Sequence, residues 1–551
     1  MNSPPSLFLE KRGKRVYNKY SKDFYGSGVP AGAGLLQTYA MEGGNALRRG
    51  IAFCLAVLLL LCSCGRGSGG EDAPATTEPA SQQTEASGPL SENAVVLAFN
   101  VNDSLNPYTA ASKQNQDLST LLYEPLVYLN ENFEAQMCLA KVISGEGVSY
   151  TIALRDGAVF SDGTAVEASD VVYSFGLAKA NPKWSAGLQQ IASMAVRRGD
   201  ISVTLTAPNI LFQNLLDFPI IKQEGAESGT PAGSGRYVYQ KQDTVSLLTA
   251  NPHYSGAAPQ VGTIRLADVP DDEALQNSLQ IGSITAYYTD LADCNIPRLT
   301  GKTARVNLTN MVYIGANASR GALGNEAVRR AVSKAVNRET IAQKAYYSYA
   351  EAATGPLPPQ FKALDISNES FYIQNKEEAV SLLESAGFTE EREDGVRTNG
   401  QVALEVSLLV NEENAFRTAA ASLVQRQLEE AGFGVTVETL PFADYSARIR
   451  AGDYDLYMGE IRLSNDMDLS PLLVQGGVSS YGLAIGAASA EYAGFRSGEG
   501  APSAFGEAFQ TSMPFIPLVY RQGVLTYPGE VGTGVRASVS DVYLNIGSWA
   551  K

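Results

Sequence analysis

The sequence predicts an α/β fold. Two observations carry that reading: apolar runs of strand length alternate with capped segments of helical period, and the best-marked stretch has the order strand, helix, strand of a parallel crossover. The first folded element is Val95, Val96, Leu97, Ala98 and Phe99, a run suited to a buried strand, ending near Asn100 and broken at Asn106-Pro107. Asn375-Lys-Glu-Glu378 reads as a capping box. Ala379, Leu382, Leu383 and Ala386 then keep a 3.6 period, and Gly387 stands where the helix stops. A second helix places Phe416, Ala420, Leu423, Val424, Leu428 and Ala431 on one face and closes at Gly432. Val435 and Val437 start a strand, Asp444 to Arg450 a short helix, and Tyr454 to Met458 a further strand. The two helices end alike, Leu383-Glu-Ser-Ala-Gly-Phe388 and Leu428-Glu-Glu-Ala-Gly-Phe433; shared glycine capping explains this better than a repeat does.

Composition narrows the function before any motif is read. With 551 residues, 44% of them hydrophobic, the chain builds a real core and is not disordered throughout. A net charge of −16 argues against nucleic-acid binding, which needs a cationic face to displace counterions from phosphate. The single histidine, His253, removes most zinc sites and His-based catalysis. No GxSxG, HExxH or Walker A pattern occurs, so a non-catalytic protein without a cofactor is expected.

The segment Ile51-Ala-Phe-Cys-Leu-Ala-Val-Leu-Leu-Leu-Leu61 follows Arg48-Arg49 and is too short to span a bilayer, which takes about 20 residues. It fits the apolar region of a secretory signal peptide. Leu61-Cys62-Ser63-Cys64 then resembles a bacterial lipobox, which implies lipidation at Cys64. Residues 1–40 are expected to be an upstream extension, with translation starting at Met41, and residues 41–63 the lipoprotein signal. Residues 64–91, rich in Gly, Ser, Thr, Pro and Glu, form the lipidated cysteine and a flexible tether. The remaining Cys138 and Cys294 could pair outside the cell but do not make a disulfide framework.

Further words point to a family. Leu121-Leu-Tyr-Glu-Pro-Leu-Val-Tyr128 and the segment from Leu154 to Ser174, with Phe160-Ser-Asp-Gly-Thr164 inside it, resemble bacterial solute-binding protein family 5, the extracytoplasmic oligopeptide, dipeptide and nickel receptors of ABC importers. Asp103-Ser-Leu-Asn-Pro107, Gly233-Ser-Gly-Arg-Tyr237, Asn251-Pro-His-Tyr254, Ala327 to Glu339 and Pro514-Phe-Ile-Pro-Leu-Val-Tyr520 follow in the family's order. Within the strongest word, Asp162-Gly163-Thr164 has turn chemistry and Ser169 or Asp170 is placed to cap the helix behind it. The resemblance implies a two-lobed periplasmic-binding-protein-like clamp of type II with an extra subdomain and discontinuous domains. Residues 92–129, 232–312 and 506–551 would form the first lobe's core, 130–231 its subdomain and 313–505 the second lobe.

The resemblance also implies where the ligand sits. In peptide-binding relatives a second-lobe carboxylate holds the peptide amine, in a segment that here reads Gly459-Glu-Ile-Arg-Leu-Ser-Asn-Asp-Met-Asp468. Asp466 matches the later acid, whereas Leu463 stands at the amine-binding position. Glu460 and Asp468 are alternative carboxylates, and Arg462 is placed to hold a ligand carboxylate, unless Glu460 and Arg462 pair with each other. Ser104 and Asn317 are weaker ligand candidates, and tyrosine is expected to contribute cleft surface. His253 matches a remote loop, which weakens the nickel alternative. The expected function is capture of a peptide or peptide-like solute for a membrane permease and its ATPase, by a lipid-anchored, extracytoplasmic monomer. A tethered peptide or pheromone sensor and a receptor for a non-peptide solute remain alternatives.

Overall fold

The structure is a computed structural model that describes residues 95–296, 301–362, 366, 368–529, 531 and 534–549. The upstream extension, the signal peptide, Cys64 and the tether lie outside the described residues. Among the described residues no helix is long and apolar enough to cross a membrane.

Val95–Phe99 is strand β1, buried at all five positions as its continuous apolar run requires. It pairs in parallel with Thr263–Asp268, and the hairpin of Tyr237–Gln242 and Val245–Ala250 completes a four-stranded sheet. Helix α1, Lys113–Leu122, buries Leu118, Leu121 and Leu122 in the same N-terminal core. A second core is inserted after it. Ala140–Glu146, Ser149–Leu154, Ile191–Arg197 and Asp200–Leu205 form a four-stranded antiparallel sheet, and helix α2, Ala168–Ala180, belongs to the same apolar cluster through Val171 and Phe175. Here the cap differs from expectation. Glu167 is the N-cap and Asp170 closes the box by accepting the Glu167 N–H at 2.9 Å, so Asp170 acts from the third helical position rather than as the cap itself.

The third and largest core surrounds a seven-stranded sheet. Strands β2 (Tyr287–Thr289), β3 (Lys302–Ala316), β4 (Glu405–Asn411), β5 (Gly434–Leu440), β6 (Leu456–Arg462) and β7 (Phe515–Tyr527) lie in the order β2-β7-β3-β6-β4-β5, with the short Ala350–Ala352 strand also on β7. Strands β4, β5 and β6 run parallel, joined by the crossover helices α3 (Ala415–Glu429) and α4 (Phe442–Arg450). The Asn414 side chain accepts from the Arg417 N–H at 2.9 Å at the start of α3, and Gly432 takes a φ of 98° beyond its end. The Asn375 helix also forms, as Lys376–Ser385, with its predicted cap.

Long strands β3 and β7 run from one core into another. Met311 to Ala316 and Phe515 to Val524 belong to the large core, while Val306, Leu308, Leu525 and Tyr527 belong to the N-terminal core. Their pairing is irregular between Asn307 and Met311, at the crossing point. Phe505, Phe509 and the first ten residues of β7 thus pack with the large core, and the tail joins the N-terminal core only near Leu525 rather than at residue 506.

Candidate functional site

In open α/β sheets, ligands sit beyond the carboxyl ends of the parallel strands, where crossover loops leave a crevice. In the large sheet that edge is marked by Asn411, Leu440 and Arg462, the last residues of β4, β5 and β6. The N-termini of α3 and α4 open onto the same edge.

Glu460 lies two residues before the end of β6. Its side chain is only 3% exposed and pairs with Arg521 at 2.7 Å. The Asn310 amide also donates to it at 2.9 Å. Burial works against the Glu460 carboxylate, yet the guanidinium groups of Arg521 and Arg417 and these hydrogen bonds hold its pKa below the ordinary value. Arg521 also donates to the Asp290 carbonyl at 2.7 Å, tying the loop after β2 to the sheet. The Glu460 partner is therefore Arg521 on β7 and not Arg462.

Arg462 is exposed and, among the described residues, its guanidinium forms no hydrogen bond or ion pair. Its charge acts on Tyr288 of β2 and on Lys183 and Asp217 of the insert, so three separately cored regions face one another around it. Lys183 is pushed down to about 8 by incomplete hydration and by the cations Lys113 and Arg462, against the pull of Asp217 and Asp117. It is nonetheless exposed, the combination expected of a group on the wall of a deep crevice that water still enters. Asp217 is pushed up to about 6, chiefly by burial, and accepts a 2.5 Å hydrogen bond from the Asn465 amide. On the N-terminal side, Lys113 pairs with Asp117 at 2.5 Å, and its Nζ stands 4.4 Å from the centre of the Tyr288 ring. Cations and carboxylates from the three regions are thus gathered around Arg462.

Immediately beside it, the insert and the large core are stitched together. Asp466 is fully buried and pairs with Arg496 at 2.5 Å. It also accepts from the Gln190 and Asn209 amides, both at 2.8 Å. Asn214 donates to the Asn465 carbonyl at 3.0 Å, and a Cβ on Gly187 would stand 3.5 Å from Ser464. Asp466 therefore spends its acceptor capacity on protein partners.

The other candidates are placed elsewhere. Asp468 accepts from the Tyr492 hydroxyl at 2.7 Å and from the Ser470 N–H at 2.9 Å. Leu463 is 2% exposed in the large core, with its backbone held by Thr309. Asn317 binds the carbonyls of Gly452 and Tyr454 at the opposite end of β6 from Arg462, about 20 Å away for the six residue steps between them. The Ser104 hydroxyl donates to the Gly229 carbonyl at 3.1 Å and braces its own turn. Tyr313, Tyr445, Tyr454 and Tyr457 form an edge-to-face cluster inside the large core. His253 is exposed, 3.5 Å from where a Cβ on Gly163 would sit. Cys138 and Cys294 are free thiols. Lys113, Asp117, Lys183, Asp217 and Arg521 were not legible as site residues; only Arg521 adjoins a family word, the one ending at Tyr520.

Comparison with known proteins gives a consistent picture. The family model described as bacterial extracellular solute-binding proteins, family 5 Middle, matches residues 132–477. The chain is 24% identical over 441 residues to the oligopeptide-binding protein AppA of Bacillus subtilis, covering 74% of this chain and 78% of that one. It is 26% identical over 320 residues to the glutathione-binding protein GsiB of Pectobacterium atrosepticum, covering 54% of this chain and 62% of that one. Among solved structures, the nickel ABC transporter protein from Bacillus halodurans superposes with a TM-score of 0.68 at 19% identity, over 82% of this chain and 98% of that one. At that identity the likeness establishes the fold, the two-lobed binding-protein architecture.

Proposed function

The chain belongs to the bacterial extracellular solute-binding proteins of family 5, and from that premise we propose that it is the solute receptor of an ABC importer, with a zwitterionic, peptide-like ligand held in the crevice bounded by Arg462, Lys183, Asp217 and Asp117. The observation that carries the ligand class is the mixed charge gathered around Arg462. Arg462 and Lys183 make no ion pair among the described residues, so they remain open to an anionic group of the ligand, while Asp217 offers a counter-charge to an amine; Asp117 is already paired with Lys113. The names of two relatives, one oligopeptide-binding and one glutathione-binding, agree with this class. In this reading the N-terminal core and insert form one lobe, the large core forms the other, and β3 and β7 are the hinge between them. Native mass spectrometry of the full-length protein tests it directly: a co-purifying peptide or related zwitterion is expected. A ligand without both charges overturns it.

The export signal belongs to the same proposal. A lipid on Cys64 and a tether of ~27 residues would hold the receptor within roughly 30 Å of the membrane's outer surface. Cys64→Ala is expected to abolish incorporation of radiolabelled palmitate and release the protein into the soluble fraction.

A further inference from the structure

Arg417, the third residue of α3, is 5% exposed. Among the described residues its guanidinium has no hydrogen-bond or ion-pair partner, and its Nε is wholly buried. An unpaired buried cation is among the more costly arrangements in a folded protein, and its persistence points to a counter-charge supplied from outside the chain. Two further orphans lie near it. Among the described residues the buried Tyr346 hydroxyl has no partner, and its ring packs on Phe416, the neighbour of Arg417, with centroids 5.3 Å apart. Oδ1 of Asn411, the last residue of β4, is buried and likewise has no partner among the described residues, while the Nδ2 of that amide donates to Glu413 at 3.2 Å.

Nearby carboxylates do not fill the gap. Glu460 is paired to Arg521 and Asn310. Glu413 is exposed and accepts the Phe442 N–H at 2.8 Å. The Arg417 charge bears on both, and on the hydroxyls of Tyr313, Tyr346 and Tyr445, which places the guanidinium between the sheet edge and α4.

We propose that Arg417, Tyr346 and Asn411 form a buried subsite for the carboxyl-terminal unit of a peptide. The guanidinium and the hydroxyl donate to the carboxylate, and Asn411 Oδ1 accepts the adjoining amide N–H. One unbalanced cation beside a neutral hydroxyl suits a monoanionic carboxylate, and the N-terminus of α3 reinforces the same sign. This deepens the solute-receptor reading and rests on it for the identity of the ligand, but anion capture by Arg417 is testable by itself.

The test uses the full chain with three probes: acetate, trialanine and trialanine amide. Acetate is expected to raise the unfolding temperature saturably, beyond sodium chloride at equal ionic strength, and Arg417→Gln to remove that rise. Trialanine is expected to bind about tenfold or more tightly than its amide, a preference that disappears in Arg417→Gln and narrows in Tyr346→Phe. Should the glutamine variant not fold, Arg417→Lys is expected to fold and keep a reduced preference. Acetate binding without peptide binding supports the subsite and overturns the peptide reading. Equal binding of acid and amide, an acid preference unchanged in the variants, or no response to any probe overturns the subsite.

Discussion

Glu460 and Arg462 share a face of β6, because alternate residues of a strand point the same way, yet they have different work. Glu460 is consumed by Arg521, and its removal strands a buried cation. Glu460→Ala is expected to lose about 3–5 kcal/mol of stability, measured by urea unfolding. Arg462→Ala leaves no such orphan; it is expected to weaken the co-purified solute by about 1–3 kcal/mol with the unfolding midpoint unchanged, read by calorimetry. The pH dependence follows from the same crevice. Affinity should fall as pH rises through about 8, where Lys183 gives up its proton, and as pH drops through about 6, where Asp217 takes one up. The Asp217 pKa is raised on folding, so the folded chain holds a proton that the unfolded chain has released. Stability should therefore decline as pH rises from 3.8, the ordinary value of an aspartate, toward about 6, and Asp217→Asn should flatten that decline. Sequence pattern exposed Arg462 because it stands in a family word, but not Lys183 or Asp217, which acquire meaning only by facing it.

At the scale of elements, the predictions that rested on local chemistry correspond to what forms, except at α2, where Glu167 rather than Ser169 or Asp170 is the cap. The α3 helix begins at Asn414 because its side-chain oxygen accepts an otherwise orphaned N–H, and Asn414→Ala should cost about 1 kcal/mol in chemical denaturation. The crossover from α3 through β5 and α4 to β6 was legible because apolar period and glycine stops are local signals. The double membership of β3 and β7 was not. Nothing within Phe515–Tyr527 announces that its first ten residues pack in one core and its last in another, since both stretches are equally apolar. Close approach at this sheet also escapes pattern: a Cβ on Gly315 would stand 2.1 Å from the Tyr457 ring. Gly315→Ala must therefore displace that ring or the strand, at a cost of about 1–3 kcal/mol.

Across the whole folded body, the network around Asp466 decides how insert and large core are held together. Gln190 and Asn209 reach it from one side and Arg496 from the other, directly beside the crevice that Asn465 and Asp217 close. Weakening this contact should favour separation of the two regions. Asn209→Ala combined with Gln190→Ala is expected to enlarge the radius of gyration of the ligand-free protein in X-ray scattering, with solute restoring the smaller value; an unchanged radius would show that other contacts set the spacing. The sequence alone determined the α/β class, the capped helices, the export signal as an expectation and the family, because each is written in contiguous residues or in words kept in order. Only the tertiary structure decided which charges are spent and which stay available. Glu460, Asp466 and Asp468 find partners up to 276 positions away, and the Arg417 guanidinium finds none among the described residues, because charge pairing depends on distance in space, which contiguous pattern does not carry.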